Sequence, residues 1–360
     1  MSSIWGSNIK LSLFGESHGE AIGINIDGLS PGIELDLEEI KREMSRRAPG
    51  SSRLSTSRKE KDKFEILSGF FQGKTTGTPL CAIIRNKDAR SKDYEKTKDL
   101  IRPGHGDFTV SKRYSGFHDF RGGGHFSGRL TAPICFAGAI ARQVLEKENI
   151  IIGSHIKSIG NIEDETFHRL DIKESTLKKL SLKKLPTLIE EKAVAMEEEI
   201  LGAKEDEDSI GGVVEVAAIN LPAGVGSPFF YSLESEIASL AFSVPGVKGV
   251  EFGEGFHITR MKGSQANDEF FMEGGKVRTY SNNNGGILSG ISNGMPVVFR
   301  AAIKPTPSIG KSQRTVDIKK RKNKTIEIQG RHDPCIVPRV IPVLEAITAL
   351  AILDLRMELK

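Results

Sequence analysis

Cysteine is scarce in this chain: Cys81, Cys135 and Cys335 stand far apart among 360 residues and form no CxxC pair. An odd, sparse count argues against a disulfide scaffold and points to a reducing cytoplasm. No apolar run reaches the roughly 18 residues of a membrane span. No basic, apolar and small-residue leader opens the chain, and Met1 to Gly6 reads straight into a strand. Neither a membrane partner nor export is therefore expected. Excess charge of one sign is also lacking, since 51 basic and 47 acidic side chains leave a net charge of +4. That balance disfavours a nucleic-acid partner, which calls for a strong basic stripe.

Glycine, by contrast, is abundant at 38 residues, so many turns and close backbone approaches are expected. With 38% hydrophobic and 27% charged residues, the chain has an ordinary globular composition and length enough for one large domain or two smaller ones. Alternation predicts strands in IKLSLF and AIGINIDG, with a glycine-rich turn between them. Asp36 to Arg47 reads as a helix capped by Asp36, with Leu37, Ile40 and Met44 on one face. FEILSGFFQGKTTGTPLCAIIRN reads as two strands of a hairpin. Further helices are expected at Leu130–Glu148, Pro186–Ala203, SLESEIASLAFSV and Pro342–Leu359, the last with proline in its first turn. GGVVEVAAINLP and KGVEFGEGF read as strands. Strands come in adjacent pairs and helices singly, which predicts an α+β fold with antiparallel sheets rather than βαβ repeats.

The densest chemistry lies in RPGHGDFTVSKRYSGFHDFRGGGHFSGRLT, residues 102–131, expected to be a long loop. It holds three of the eight histidines, His105, His118 and His125, with four arginines and seven glycines. Arginine forks match carboxylate and phosphate, and histidine moves protons near neutral pH. The combination suggests a pocket for a multiply anionic small molecule. Three other segments share this chemistry. GESHG places His18 in a glycine-flanked turn, RRAPGSSRLSTSR carries Arg46, Arg47, Arg53 and Arg58, and GRHDPC carries Arg331, His332 and Asp333, with Pro338 and Arg339 following. Taken singly, each has a plainer reading: a turn histidine, a solvated basic loop, and a turn leading into a helix.

Two tempting motifs fail on context. Gly15 to Gly19 fits the G-x-S-x-G elbow of serine hydrolases, but a strand pattern follows where a helix is required. Gly69 to Thr75 is one residue short of a P-loop, and strand-forming residues follow it. No histidine, cysteine or acid spacing supports a metal site.

Together the four segments resemble chorismate synthase. GESHG, the arginine-rich signature, RPGHGD with DFRGGG, LPAGVGSPFF, VPGVKGVEFGEGF, NNGGILSGISNG, KPTPSI and GRHDPCIVPRVIPVLEA stand in that family's order. The resemblance runs from about Ile4 to Leu355, and only residues 160–208 lack family marks. It implies one domain over residues 1–360, with a charged variable insertion at 160–208 and helices sandwiched between antiparallel sheets. It further implies a cytoplasmic homotetramer. The implied reaction is the anti-1,4-elimination of phosphate from 5-enolpyruvylshikimate 3-phosphate to give chorismate. That reaction requires reduced FMN, and the resemblance leaves open whether NADPH reduces the flavin on the protein.

Carried over position by position, the resemblance makes His18 the acid for the departing phosphate. It sets His105 beside the flavin, and makes Asp333, working with the flavin, the route for the ring proton. Arg46, Arg47, Arg53, Arg129 and Arg331 would bind substrate anions. Ser17, His125, Phe126, Ser127, Pro245, Gly246 and Ser289 would contact the flavin, as would Lys304, Pro305, Thr306, Pro307, Ser308 and Arg331. The chain departs from the family's usual RGGGRSSARET at His125, Phe126 and Leu130, which stand where arginine, serine and glutamate are common. Pro307 stands where a serine is usual, and Ala48 where an arginine is common. None of these changes removes His18, His105, Arg331 or Asp333, so an active enzyme is expected.

Overall fold

The computed structural model describes residues 3–50, 60–87, 98–328 and 333–358. Short strands at the N-terminus build a first antiparallel sheet. Its strands are β1 (Ile4–Trp5), β2 (Lys10–Gly15), β3 (Ala21–Asp27), β4 (Phe64–Ser68) and β5 (Leu80–Arg85), in the order β1-β2-β3-β5-β4. Ile22, Ile24 and Ile26 alternate along β3 and are buried, as are Leu80, Ala82 and Ile84 along β5. A period of two gives the sheet one apolar face. The expected hairpin after Phe64 is present as β4 paired with β5.

A second antiparallel sheet contains β6 (Ile151–Ile159), β7 (Ile162–Glu163), β8 (Gly212–Ile219), β9 (Val247–Phe252) and β10 (Val297–Ile303), in the order β9-β10-β8-β6-β7. Its central strand, β8, is buried on both faces, and Glu215 is its one charged side chain. Val214, Val216 and Ala218 join the main core, whereas Ala217 and Ile219 pack in a smaller outer cluster with Phe167, Leu177 and Leu180.

Helices packed on one another fill the space between the sheets, and others lie on the outer face of the second sheet or at the surface. The segments α1 (Leu37–Arg47), α2 (Asp107–Arg113), α3 (Thr131–Glu146), α4 (Glu174–Ser181), α5 (Glu190–Glu205), α6 (Leu233–Ser243) and α7 (Val337–Met357) follow in chain order. α3 packs on β3 and β5 of the first sheet, α7 packs on β6 and β8 of the second, and α3 and α7 pack on each other. This is the expected helix layer between antiparallel sheets. The small residues of α3 permit the close approach: a Cβ on Gly138 would lie 2.2 Å from Ala346 Cβ.

Several expected boundaries are corrected. The last helix starts at Val337, and Pro338 takes the first-turn position while Pro342 lies inside. Proline at 342 removes one ladder hydrogen bond, but Val337, Ile341, Leu344 and nearly every later residue are buried, so the helix continues through it. The stretch 102–131 is not wholly loop. It contains α2 and two 3-10 turns, Arg121–Phe126 and Gly128–Leu130. The helix expected from Pro186 begins at Glu190, with Ala193, Met196 and Ile200 buried as the stripe predicted. α4 was not anticipated, because only Leu177 and Leu180 mark its buried side.

Candidate active site

α1 shows how local sequence aims a functional side chain. The Asp36 side chain caps it by accepting from the backbone of Glu38 and Glu39 at 2.9 and 3.0 Å. Ile40, Glu43, Met44 and Arg47 share its buried face. Arg47 therefore leaves the helix end pointing inward. Its Nη1 donates to Asp62 Oδ2 at 2.9 Å, Nη2 to the Gly128 carbonyl at 2.7 Å and Nε to Thr131 Oγ1 at 3.0 Å. Arg129 meets the same carboxylate from the other side through Asp62 Oδ1, and its Nε donates to Asn86 Oδ1 at 3.1 Å. Asp62 is thus a buried carboxylate shared by two arginines. Burial alone would raise its pKa, but Arg47 and Arg129 hold it below the ordinary carboxylate value.

A second junction joins GESHG to RGGG. Gly122, Gly123 and Gly124 have φ of 62°, 92° and 54°, a run that side chains rarely tolerate. The Ser17 amide donates to the Gly124 carbonyl at 3.1 Å, and Ser17 Oγ donates to the Arg121 carbonyl at 3.3 Å. A Cβ on Gly122 would stand 2.3 Å from His18 Cδ2, so the absent side chain is the space that the buried imidazole uses.

These junctions border two adjoining cavities. The first, about 240 Å³, is walled by Arg47, Arg129, Glu60, His105, Asp333 and Arg339, with Thr306 and Ser308. The second, about 310 Å³, has Gly122, Gly123, Phe126, Pro245, Gly246, Lys304 and Pro307 on its walls. Arg102, His105, Gly122, Ser127, Gly128, Pro245 and Ile336 border both. His105 Nε2 and Ser308 Oγ are hydrogen-bonded at 2.7 Å. Lys304 donates its amide to the Gly246 carbonyl at 2.9 Å and its Nζ to the Gly104 carbonyl at 2.7 Å. Burial, and then Lys248, lower the Lys304 pKa. Arg102 forks onto Asp107 at 2.7 and 2.8 Å, and that pairing outweighs burial to hold the Asp107 carboxyl low.

The structure gathers most of the expected site residues and sets others apart. Arg47, Arg129, His105 and Asp333 share the first cavity, and Phe126, Ser127, Pro245, Gly246, Lys304 and Pro307 share the second. Ser17 and His18 lie directly behind Gly122. Arg46 faces elsewhere: its guanidinium pairs with Glu43 at 2.6 Å and with Glu345 at 2.5 Å, beside Arg142, and borders a separate cavity. His125 is engaged through both ring nitrogens, Nδ1 with the Gly15 carbonyl at 2.8 Å and Nε2 with Ser3 Oγ at 3.0 Å. Among the expected residues, Ser17, His18, His125, Ser289 and Pro305 border neither of the two cavities. Ser289 turns a hairpin at φ 54°, and Pro305 packs against Gly211. Arg53 and Arg331, with Arg58 and His332, lie outside the described residues. Asp62 and Glu60 were missed because KEKDK reads as a solvated charge run. The signal that could have found Asp62 was its need to neutralise two arginines.

Comparisons with known proteins identify the family. A sequence model described as chorismate synthase matches residues 9–357. The chain belongs to the chorismate synthase family. A chorismate synthase of Thermococcus kodakarensis is 47% identical over 97% of this chain and 96% of its own length. One from Methanocaldococcus jannaschii is 48% identical over 99% of this chain and 96% of its own length. A solved chorismate synthase crystal structure superposes with a TM-score of 0.77 at 30% identity, covering 98% of this chain and 93% of that one. The family's reaction is the elimination of phosphate from 5-enolpyruvylshikimate 3-phosphate to give chorismate, and membership makes this chain a carbon–oxygen lyase. The family uses reduced flavin.

Proposed function

We propose that the two adjoining cavities are the substrate and cofactor halves of one chorismate synthase site. The observation that carries this reading is the pair of buried guanidinium groups, Arg47 and Arg129, meeting His105 and Asp333 at one cavity. Arginine forks bind carboxylate and phosphate bidentately, and the substrate carries two carboxylates and a phosphate. Arg47 and Arg129 would orient it, with Arg53 and Arg331 as further anion partners. Arg46, locked to Glu43 and Glu345, would anchor α1 instead.

The second cavity suits FMN. Part of its wall carries no polar side chain, at Pro245, Gly246, Pro307, Ile336 and the glycines 122 and 123, while Arg102, His105, Asp107, His118, Asp119 and Lys304 line the rest. A Cβ at Gly104 would stand 2.7 Å from Pro307, so the cradle depends on a missing side chain. When bound, reduced FMN supplies an electron-rich ring beside the substrate. Phe126, Ser127, Pro245, Gly246, Lys304, Thr306, Pro307 and Ser308 would hold it, and Lys304 and Arg102 offer cationic partners for its phosphate. Ser17, His125, Ser289 and Pro305 would support the surrounding turns from behind. His105, fixed by Ser308, would donate to an anion at the boundary between the cavities. His18 would protonate the phosphate as it leaves, and Asp333 would receive the ring proton on the opposite side. Preorganised positive charge at the site would stabilise the departing anion.

The reading extends to the whole protein. The chain is taken as a single domain with residues 160–208 inserted against the second sheet. Phe229 and Phe230, 85% and 88% exposed, support burial in a homotetramer, which light scattering would check. Three unpaired cysteines fit a reducing cytoplasm. The test is anaerobic turnover of 5-enolpyruvylshikimate 3-phosphate with dithionite-reduced FMN. Chorismate and phosphate should appear together, and the absence of phosphate release would reject the assignment. His18→Ala should lower turnover by about 10²–10⁴-fold, the scale of a lost general acid, while FMN still binds. The same assay in air with NADPH and FMN tells whether the chain makes its own reduced flavin.

A further inference from the structure

We propose that Arg339 is a positioning residue for the elimination, holding the Asp333 carboxylate at the cavity wall and tying it to the arginine clamp. Arg339 lies in the first turn of α7, and Arg47 is the last residue of α1. The Arg339 Nη1 donates to Asp333 Oδ2, and its Nε donates to the Arg47 carbonyl at 3.1 Å. One planar group thus fixes the distance between the proton acceptor and the backbone that carries a substrate-binding guanidinium. Arg339 borders the arginine-lined cavity on one side. On the other it borders a separate cavity of about 770 Å³, lined also by Lys183, Glu190 and Pro338. It is therefore part of the partition between the two.

The choice of arginine follows from this geometry. Its donors are rigidly spaced, so a single side chain can meet a carboxylate and a carbonyl at once. A lysine reaches either acceptor but cannot hold both in one plane. Burial lowers the Arg339 pKa and Asp333 opposes that shift, as expected of a cation kept in the wall by its carboxylate partner. The Asp333 side chain is nearly buried too, so its orientation depends on its partners rather than on water. A base displaced by about 1 Å can lose on the order of 10²-fold in rate. The plainer alternative is that Arg339 merely fastens α1 to α7.

The inference rests on Asp333 as the acceptor of the ring proton, and a double-mutant cycle separates the two ideas. The variants are Asp333→Asn, Arg339→Gln, Arg339→Lys and the Asn/Gln double variant, each assayed with reduced FMN under anaerobic conditions. Arg339→Gln should lower kcat by about 10²-fold with the flavin Kd nearly unchanged. It should also enlarge the kinetic isotope effect measured with substrate deuterated at the carbon that loses its proton. Arg339→Lys should recover part of the rate. The double variant should be no slower than Asp333→Asn alone, because both changes act through one carboxylate. If Arg339→Gln slows the Asp333→Asn enzyme as much as it slows wild type, or leaves the isotope effect unmoved, Arg339 is only a fastener. Near-normal turnover by Asp333→Asn would overturn the acceptor role, and the inference with it. Should the Gln variant not fold, Arg339→Lys carries the same comparison through its isotope effect.

Discussion

The residue that organises the proposed anion site is an acid. Asp62 sits at φ 45°, 3% exposed, with one carboxylate oxygen for Arg47 and the other for Arg129. Two buried cations side by side would repel each other, and one shared anion offsets part of that repulsion while fixing their spacing. Asp62→Asn should leave a buried guanidinium poorly paired, at a cost of about 3 kcal/mol. The apparent KM for the enolpyruvyl substrate should rise well before flavin binding weakens. Urea unfolding and steady-state kinetics on the same preparation check both parts. The pH dependence has a definite sign. The folded carboxyl is held below its ordinary value, so its stabilisation is complete above about pH 4 and disappears as pH falls through the depressed value.

At the scale of elements, the contact between α3 and α7 decides whether the two sheets can share one core. Gly138 faces Ala346 with no room for a methyl group, its Cβ position being 2.2 Å from the Ala346 Cβ. Gly138→Ala gains helix propensity, yet it forces the two helices apart, and overpacking a tight core costs about 1–3 kcal/mol. We expect net destabilisation, read as a lower urea midpoint with an unchanged m-value. A partial rescue by Ala346→Gly would confirm the steric cause. The elements themselves were largely legible. The α1 cap, the paired strands and the Ala193, Met196 and Ile200 stripe follow from local patterns. The start of α7 and the helix within 102–131 did not. In the first case burial of the helix overrides a proline, and in the second Asp107 starts a helix while pairing with Arg102.

Across the whole molecule, buried charge ties the outer segment to the second sheet. His155 on β6 lies between Asp164, at 3.2 Å, and Glu215 on the neighbouring β8, at 3.0 Å. Asp164 also accepts from the backbone of Leu188 and Ile189, so the network pins the residues leading into α5. Burial would lower the His155 pKa, but hydrogen bonds to Asp164 and Glu215 raise it above the ordinary histidine value. A group raised in the folded state stabilises fully below its unfolded value of about 6.5, and that contribution fades as pH rises through the folded value. The melting-temperature advantage of wild type over His155→Gln should therefore be largest near pH 6 and shrink by pH 9. A constant difference over that range would show that the imidazolium charge is not what holds the segment.

The sequence by itself determined the family, the paired strands, and the residue types a polyanionic substrate needs. Such information is local, carried by short motifs, turn glycines and apolar periods. It could not say which of Arg46 and Arg47 turns toward the site, because adjacent helical residues differ by about 100° and only the packing of α1 selects the face. Nor could it place His125, whose ring bridges Gly15 and Ser3 from more than a hundred residues away. Asp62 and Arg339 gained their meaning only once α1, α7 and the glycine turn converged. A buried charge is governed by its partners, and partners distant in sequence are fixed by tertiary structure alone.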